Sequence, residues 1–155
     1  MTSTMRFDKW ENTLGQPYHA VLQVVHVAVT GLTSTTSTSY VSTPVTASIT
    51  PKYSTSKILV TVSAHLETPS GGAQIYPTVF RGTISGTNLG DGNNGFGGVR
   101  NSGGTSDGTY TINVLDTPST TSSQTYTFAI RVSANTGYIN GLGGESTITL
   151  MEIAQ

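Results

Sequence analysis

Residues 57–67 read KILVTVSAHLE, a stretch in which apolar and polar side chains alternate. Successive side chains of a β-strand point to opposite faces of the sheet. The alternation therefore predicts a strand with one buried face and one face toward water. The apolar positions that we expect to face the core are Ile58, Val60, Val62, Ala64 and Leu66.

The same alternation recurs along the chain, between connections rich in Gly, Ser, Thr and Pro. Further strands are predicted at residues 39–50, 74–84, 109–116, 124–134, 137–140 and 146–154. In residues 124–134, the side chains that we expect to face inward are Tyr126, Phe128, Ile130 and Val132. Two of them contain an internal proline, Pro44 and Pro77. Since proline cannot donate a hydrogen bond to a neighbouring strand, residues 39–50 should form an edge strand or one with a bulge. The pattern predicts an all-β fold, a single β-sandwich that is jelly-roll-like.

Residues 21–29, VLQVVHVAV, are apolar on both strand faces. Val21, Val25, Val27 and Val29 share one parity, whereas Leu22, Val24 and Ala28 share the other. Such a strand is either central within one subunit or packed against a symmetry mate, and the sequence leaves both interpretations open.

The composition limits the function classes. The chain has 155 residues, enough for one domain with its own core, and no cysteine, which excludes disulfides and thiolate metal sites. Charged residues make up 10%, against about 25% in typical proteins. With a net charge of −1, phosphate neutralisation is disfavoured, so we expect no nucleic-acid partner. No apolar stretch approaches the roughly 18 residues that indicate a membrane span, so no membrane partner is expected.

Residues 1–17, MTSTMRFDKWENTLGQP, form a polar N-terminal arm before a β-sandwich domain at residues 18–155. The arm contains the only tryptophan, Trp10, near Arg6 and Phe7. Terminal segments are often frayed, but tryptophan and arginine are enriched where proteins bind one another. We expect the arm to anchor on a partner through these three residues. The alternative is that Trp10 packs back onto its own domain.

The glycine-rich residues 86–108 form the longest segment without strand periodicity. Long irregular loops often carry function, so this segment is a candidate receptor loop. The side chains that we expect to contact a ligand are Asp91, Asn93, Asn94, Phe96 and Arg100. The stretch around Asp91 partly matches a calcium-binding loop, but Ser102 occupies the position of the closing glutamate, which favours a simple turn.

No catalytic motif is found in the sequence. A nucleophile elbow and a phosphate-binding loop are absent, and His19, His26 and His65 lack metal-ligand spacing. The eight acidic residues are scattered. We therefore expect no enzymatic activity, no metal and no cofactor, while a carbohydrate-active module or enzyme remains a third hypothesis.

A series of motifs carries a family resemblance over nearly the whole β domain. They are VLQVV (21–25), STTSTSYVS (34–42), ITPKYSTSKILVTVSAHL (49–66), FRGTISG (80–86), YTINVLDTPSTTSSQTYTFAIRVSA (110–134), GYIN (137–140) and STITLMEIAQ (146–155). In this order they resemble short virion-associated proteins and tail-fibre tips of marine and cyanobacterial tailed phages.

The resemblance implies a trimeric β-sandwich on the exterior of a phage particle, without catalytic residues. Such domains often cap a fibre shaft, whereas here only the arm of residues 1–17 precedes the domain. This favours a homotrimeric capsid decoration protein, of the cement or head-fibre type. Its expected partners are its own copies and virion proteins such as the major capsid protein. The alternative is a tail-fibre tip whose residues 86–108 contact host surface glycans.

Overall fold

The computed structural model describes residues 20–69, 73–100 and 103–155. Their regular structure is almost entirely β, with one short 3-10 turn, η1, at Gly141–Gly143. The strands are β1 (Val21–Val29), β2 (Thr33–Thr35), β3 (Val41–Ile49), β4 (Lys57–Thr68), β5 (Gln74–Arg81), β6 (Thr87–Asn88), β7 (Val99–Arg100), β8 (Ser106–Asp116), β9 (Gln124–Val132), β10 (Gly137–Ile139) and β11 (Ser146–Ile153).

The strands form two antiparallel sheets that pack against each other. In the first sheet, β11 lies between β1 and β4, and β8 pairs with the other side of β4. The short strands β10 and β2 pair with each other, and β10 also pairs with β4. In the second sheet the order is β3, β9, β5, with β6 and β7 both on the far side of β5.

The chain alternates between the sheets in the order of a jelly roll, with neighbouring strands distant in sequence. The predicted all-β, jelly-roll-like sandwich is therefore confirmed. The connections put the N-terminal strand β1 beside the C-terminal strand β11.

The core lies between the sheets, where the predicted alternation places it. All five apolar positions of β4 are fully buried, while the alternating residues are only partly buried. On β9, Tyr126, Phe128, Ile130 and Val132 face the same core, as the sequence predicts. Ile148 and Leu150 of β11 complete the centre of the sandwich.

Two buried carboxylates each accept hydrogen bonds from separate segments of the sandwich. Asp116, at the end of β8, accepts two hydrogen bonds from Arg81 Nη1 at 3.1 Å and one from the Tyr126 hydroxyl at 2.7 Å, which links the two sheets. Burial and the bond to Asp116 raise the pKa of Tyr126. Glu152 of β11 is fully buried and accepts hydrogen bonds from Gln23 Nε2 at 2.6 Å and from the backbone amide of Lys52 at 2.7 Å.

The interpretation of residues 21–29 as a central strand is wrong. Within the described residues, β1 pairs only with β11 and forms an edge of the first sheet. The pairing of β1 with β11 shifts register between Val21 and Gln23. At this irregularity the odd-numbered side chains change from the outer face to the core face of the sheet, and the even-numbered ones change the opposite way. Val25, Val27 and Val29 pack against the core, whereas Val21 and Val24 are each 55% exposed.

The two strand prolines are accommodated differently. β3 is an edge strand with a register shift between Ser42 and Thr46, so both features predicted from Pro44 are confirmed. Pro77 lies in β5, which has neighbours on both sides. The Pro77 carbonyl accepts a bond from Phe96 N, between the short strands β6 and β7. Since the amide and carbonyl of one residue point the same way in an antiparallel strand, the missing donor faces this gap.

Candidate functional site

The candidate receptor loop lies against the outer face of the second sheet. The prediction that residues 86–108 are irregular throughout is wrong, because they contain β6, β7 and the first residues of β8. These segments pair with β5 and β4, and their short, glycine-rich sequences carry no alternation of their own. The part between β6 and β7 is a loop that turns back on itself.

A tight turn forms the tip of this loop. Asp91 and Gly95 exchange two backbone hydrogen bonds of 3.0 and 2.9 Å. The Asp91 carboxylate accepts the backbone amides of Asn93 at 2.9 Å and Asn94 at 2.7 Å. The amides of Asn94 and Asn93 stabilise the charged form and lower the pKa of Asp91. The carboxylate therefore shapes the turn, as the sequence indicated when it favoured a turn over a calcium loop.

Gly95 brings the turn into direct contact with β5. Its φ is +55°, a left-handed conformation, and the residue is buried. A Cβ at this position would lie 2.1 Å from the Pro77 carbonyl oxygen. No side chain fits there, so glycine permits the close approach of the tip to the sheet.

Arg131, on the outer face of β9, donates hydrogen bonds to the tip of the loop. Its Nε donates to the Asn93 carbonyl at 2.7 Å, and its Nη2 donates to the same oxygen. The guanidinium lies 4.0 Å from the centre of the Tyr76 ring and 5.8 Å from that of Tyr40. Burial raises the pKa of Tyr40, against the opposing effect of Arg131. A cation between two aromatic rings thus fixes the position of Asn93.

The five predicted contact residues do not act alike. Asp91, Asn93 and Asn94 are exposed at the tip, and Arg100 is exposed on β7. Phe96 instead packs partly against the hydrophobic core, and its carbonyl accepts a hydrogen bond from the Tyr110 hydroxyl. The structure therefore brings together three adjacent polar residues as a presented surface, with Phe96 beneath them.

Sequence reasoning missed Arg131, Tyr40 and Tyr76, which hold the tip. Tyr76 and Arg131 are cross-strand partners on β5 and β9, a pairing that follows from sheet register. The signal in the sequence was weak, since Arg131 only stands out as a charged residue at an outward position of β9. In the structure, the neighbouring outward residues Thr127 and Ala129 are buried.

The other candidate residues do not converge on a site. Arg6, Phe7, Trp10 and His19 lie outside the described residues. His26 is exposed on β1, with Nδ1 2.8 Å from Thr149 Oγ1. His65 Nε2 lies 3.8 Å from Asp107 Oδ2.

Two kinds of functional feature are absent from the described residues. Residues 20–69, 73–100 and 103–155 contain no group of three or more His, Cys, Asp or Glu side chains arranged for a metal ion. Within the same ranges, the structure contains no helix that could span a membrane.

Comparisons with models of known families, with curated proteins and with solved structures find no match for this chain.

Proposed function

We propose that this chain is a non-enzymatic structural protein of a bacteriophage virion, a homotrimeric decoration protein on the exterior of the capsid. In this function the β-sandwich is the exposed body of the protein. The arm of residues 1–17 binds a neighbouring virion protein, such as the major capsid protein. The proposal extends the motif resemblance and is supported by the position at which the arm joins the domain.

That position is the observation that carries the proposal. Ala20, the first described residue, is exposed and precedes the edge strand β1. Its carbonyl accepts a hydrogen bond from Ala154 N at 2.9 Å, so the chain enters the sandwich at the border of the first sheet. A segment that precedes this point can reach a partner without crossing the core.

The polar contacts of the sandwich also suit a body exposed outside a particle. The carboxylates of Asp116 and Glu152 are used inside the fold. The longest connection is pinned to the sheet by Arg131 and Gly95. Loops fixed in this way offer few openings to proteases, because cleavage requires local unfolding.

Deletion of residues 1–16 and the single variant Trp10→Ala test the attachment. Both proteins should fold and form trimers, but bind purified particles that lack the native protein much more weakly than the parent. Particle co-sedimentation measures binding, and native mass spectrometry measures the stoichiometry. Wild-type binding by both variants would refute the arm as anchor, and a parent that stays monomeric would refute the homotrimer.

The alternative function is a receptor-binding tip of a tail fibre that contacts host glycans. The exposed turn of Asp91, Asn93 and Asn94 favours it, because the backbone is fixed before a ligand arrives, which lowers the entropy cost of binding.

Inhibition of phage adsorption to host cells should separate the two functions. If the chain is a receptor tip, the soluble protein should inhibit phage adsorption, and the double variant Asn93→Ala/Asn94→Ala should lose that inhibition. The matched control Ser122→Ala/Ser123→Ala changes two exposed residues of the β8–β9 connection. Absence of inhibition by the parent protein would exclude the receptor function.

A further inference from the structure

Four apolar side chains form a continuous row across the outer face of the first sheet. The register pairs Val24 of β1 with Met151 of β11, Met151 with Leu59 of β4, and Leu59 with Leu115 of β8. We call these four residues the apolar row. Its two ends are strongly exposed, 55% for Val24 and 51% for Leu115, and its middle is partly exposed. A monomer gains nothing from placing these side chains in water.

The apolar row continues on one side into uncharged polar rows. The next row across the four strands consists of His26, Thr149, Thr61 and Asn113, and the one after it of Ala28, Thr147, Ser63 and Thr111. Apart from His26, these rows carry no ionisable side chain. On the other side, Val21 and Ile153 extend the apolar surface, and Lys57 borders it.

We propose that copies of this chain associate through this outer face, with the apolar row of each copy against the same row of its neighbours. This rests on the proposed homotrimer and names its interface. The absence of charge is the reason to choose another copy as the partner. Identical faces bring identical charges together, and contact through these uncharged rows avoids the repulsion that self-association would otherwise meet.

The orientation follows from the arrangement in rows. A rotation axis parallel to the strands keeps all copies in the same direction and at the same height. Each row then meets its own counterpart, apolar against apolar and hydroxyl against hydroxyl. Charged residues are depleted from the centre of such interfaces, as they are from these rows. The stem of Lys57 can cover the rim while its ammonium group reaches solvent.

The double variant Val24→Glu/Leu115→Glu tests the interface. Both positions are more than half exposed, so the subunit should keep its fold, measured by circular dichroism and by urea unfolding. Native mass spectrometry at micromolar concentration should show trimers for the parent and monomers for the variant. The control Ile84→Glu/Leu142→Glu adds the same charge at positions 42% and 82% exposed, outside the apolar row, and should remain trimeric.

Cysteine cross-linking tests whether the row meets itself. The chain has no cysteine, so one introduced thiol can form a disulfide only between copies. Met151→Cys should give a covalent dimer under mild oxidation, whereas Ser48→Cys, on the exposed edge strand β3, should not.

The outcomes separate this inference from the proposed function. A trimeric Glu double variant, or equal cross-linking at both cysteine positions, would overturn the interface while the trimer stands. A monomeric parent would overturn both. A monomeric parent whose double variant no longer binds the particle would mean that the face docks on another virion protein, which also refutes self-association.

Discussion

At the scale of single residues, Glu152 holds the connection between β3 and β4. Its carboxylate accepts the amides of Lys52 at 2.7 Å and Tyr53 at 3.4 Å, and it also accepts a bond from Gln23 at the irregularity of β1. Burial acts to raise the pKa of Glu152, but the Ser56 hydroxyl, Gln23 and the amides of Lys52 and Tyr53 together outweigh it and lower the pKa below the ordinary 4.5. One side chain therefore fixes two backbone segments.

We expect Glu152→Ala to lower the free energy of unfolding by about 2–3 kcal/mol, because three donors lose the buried carboxylate that accepts their hydrogen bonds. Urea denaturation measures this change. The variant Gln124→Ala, which removes a side chain bonded only to Ser122 and Ser123, is the control and should cost much less.

The lowered pKa of Glu152 predicts a pH dependence. The unfolded chain takes up this proton at a higher pH than the folded chain, so the contribution is complete above 4.5 and is lost as pH falls through the folded pKa. The difference in unfolding free energy between the parent and Glu152→Gln should therefore shrink in acid. A difference that is constant from pH 7 to pH 3 would contradict the assignment.

Gly95 and Gly92 provide a matched pair at the loop tip. Gly95→Ala should destabilise the protein by about 2 kcal/mol, since the new methyl group meets the Pro77 carbonyl in a left-handed conformation. Gly92→Ala has open space around it and should change the stability little. Thermal unfolding of both variants compares them, and equal destabilisation would show that the contact with β5 is not the cause.

At the scale of elements, how well a strand could be predicted from the sequence depended on its position in the sandwich. The strands β4 and β9 were predicted residue by residue, because each presents one alternating set of side chains to the core. For β1 the sequence left two interpretations open, and the central strand is the wrong one, because Val24 on its second apolar face lies in the exposed apolar row rather than in a second buried layer. Alternation reports which face is apolar, but not what covers it.

The candidate site was only half predictable for a related reason. Asp91, Asn93 and Asn94 stand out as turn-forming polar residues in a glycine-rich segment. The residues that hold them, Tyr40 just before β3 and Arg131 on β9, are far apart in the sequence and meet only in the folded protein. Pairing over such separations depends on the tertiary structure, which a single sequence does not display.

We expect the tip of the loop between β6 and β7 to depend on Arg131 for its stability. In Arg131→Ala, amide hydrogen exchange at residues 91–97 should accelerate by about tenfold or more, because charge-assisted hydrogen bonds to Asn93 are lost. Exchange in β4 should change much less. Arg100→Ala, an exposed arginine on β7, is the control. Unchanged exchange at the tip would show that Gly95 and the turn hold it without Arg131.

At the scale of the whole molecule, the last strand completes the first sheet. β11 lies between β1 and β4, so β1 has no strand partner in the described residues, and β4 lacks its neighbour on one side, until the C-terminal residues are present. Nearly all strand pairs of the sandwich join distant segments, a topology that folds slowly and as one unit.

Removal of residues 146–155 should therefore abolish folding rather than trim one edge. We expect loss of the β signal in circular dichroism and of a cooperative urea transition. Removal of Gln155 alone, an exposed terminal residue, should leave both intact. A truncated chain that still unfolds cooperatively would show that the remaining strands form a sufficient core.

The grip of Arg131 on the loop has an evolutionary consequence. It holds the main-chain oxygen of Asn93, a group that every amino acid supplies, and Asn94 likewise uses its backbone in the turn. Side chains at these two positions can be exchanged without releasing the anchor. Substitutions at these two positions can therefore change the side chains on the exposed turn without changing the β-sandwich. Under selection for a different binding surface, the sequence can diversify first at this turn.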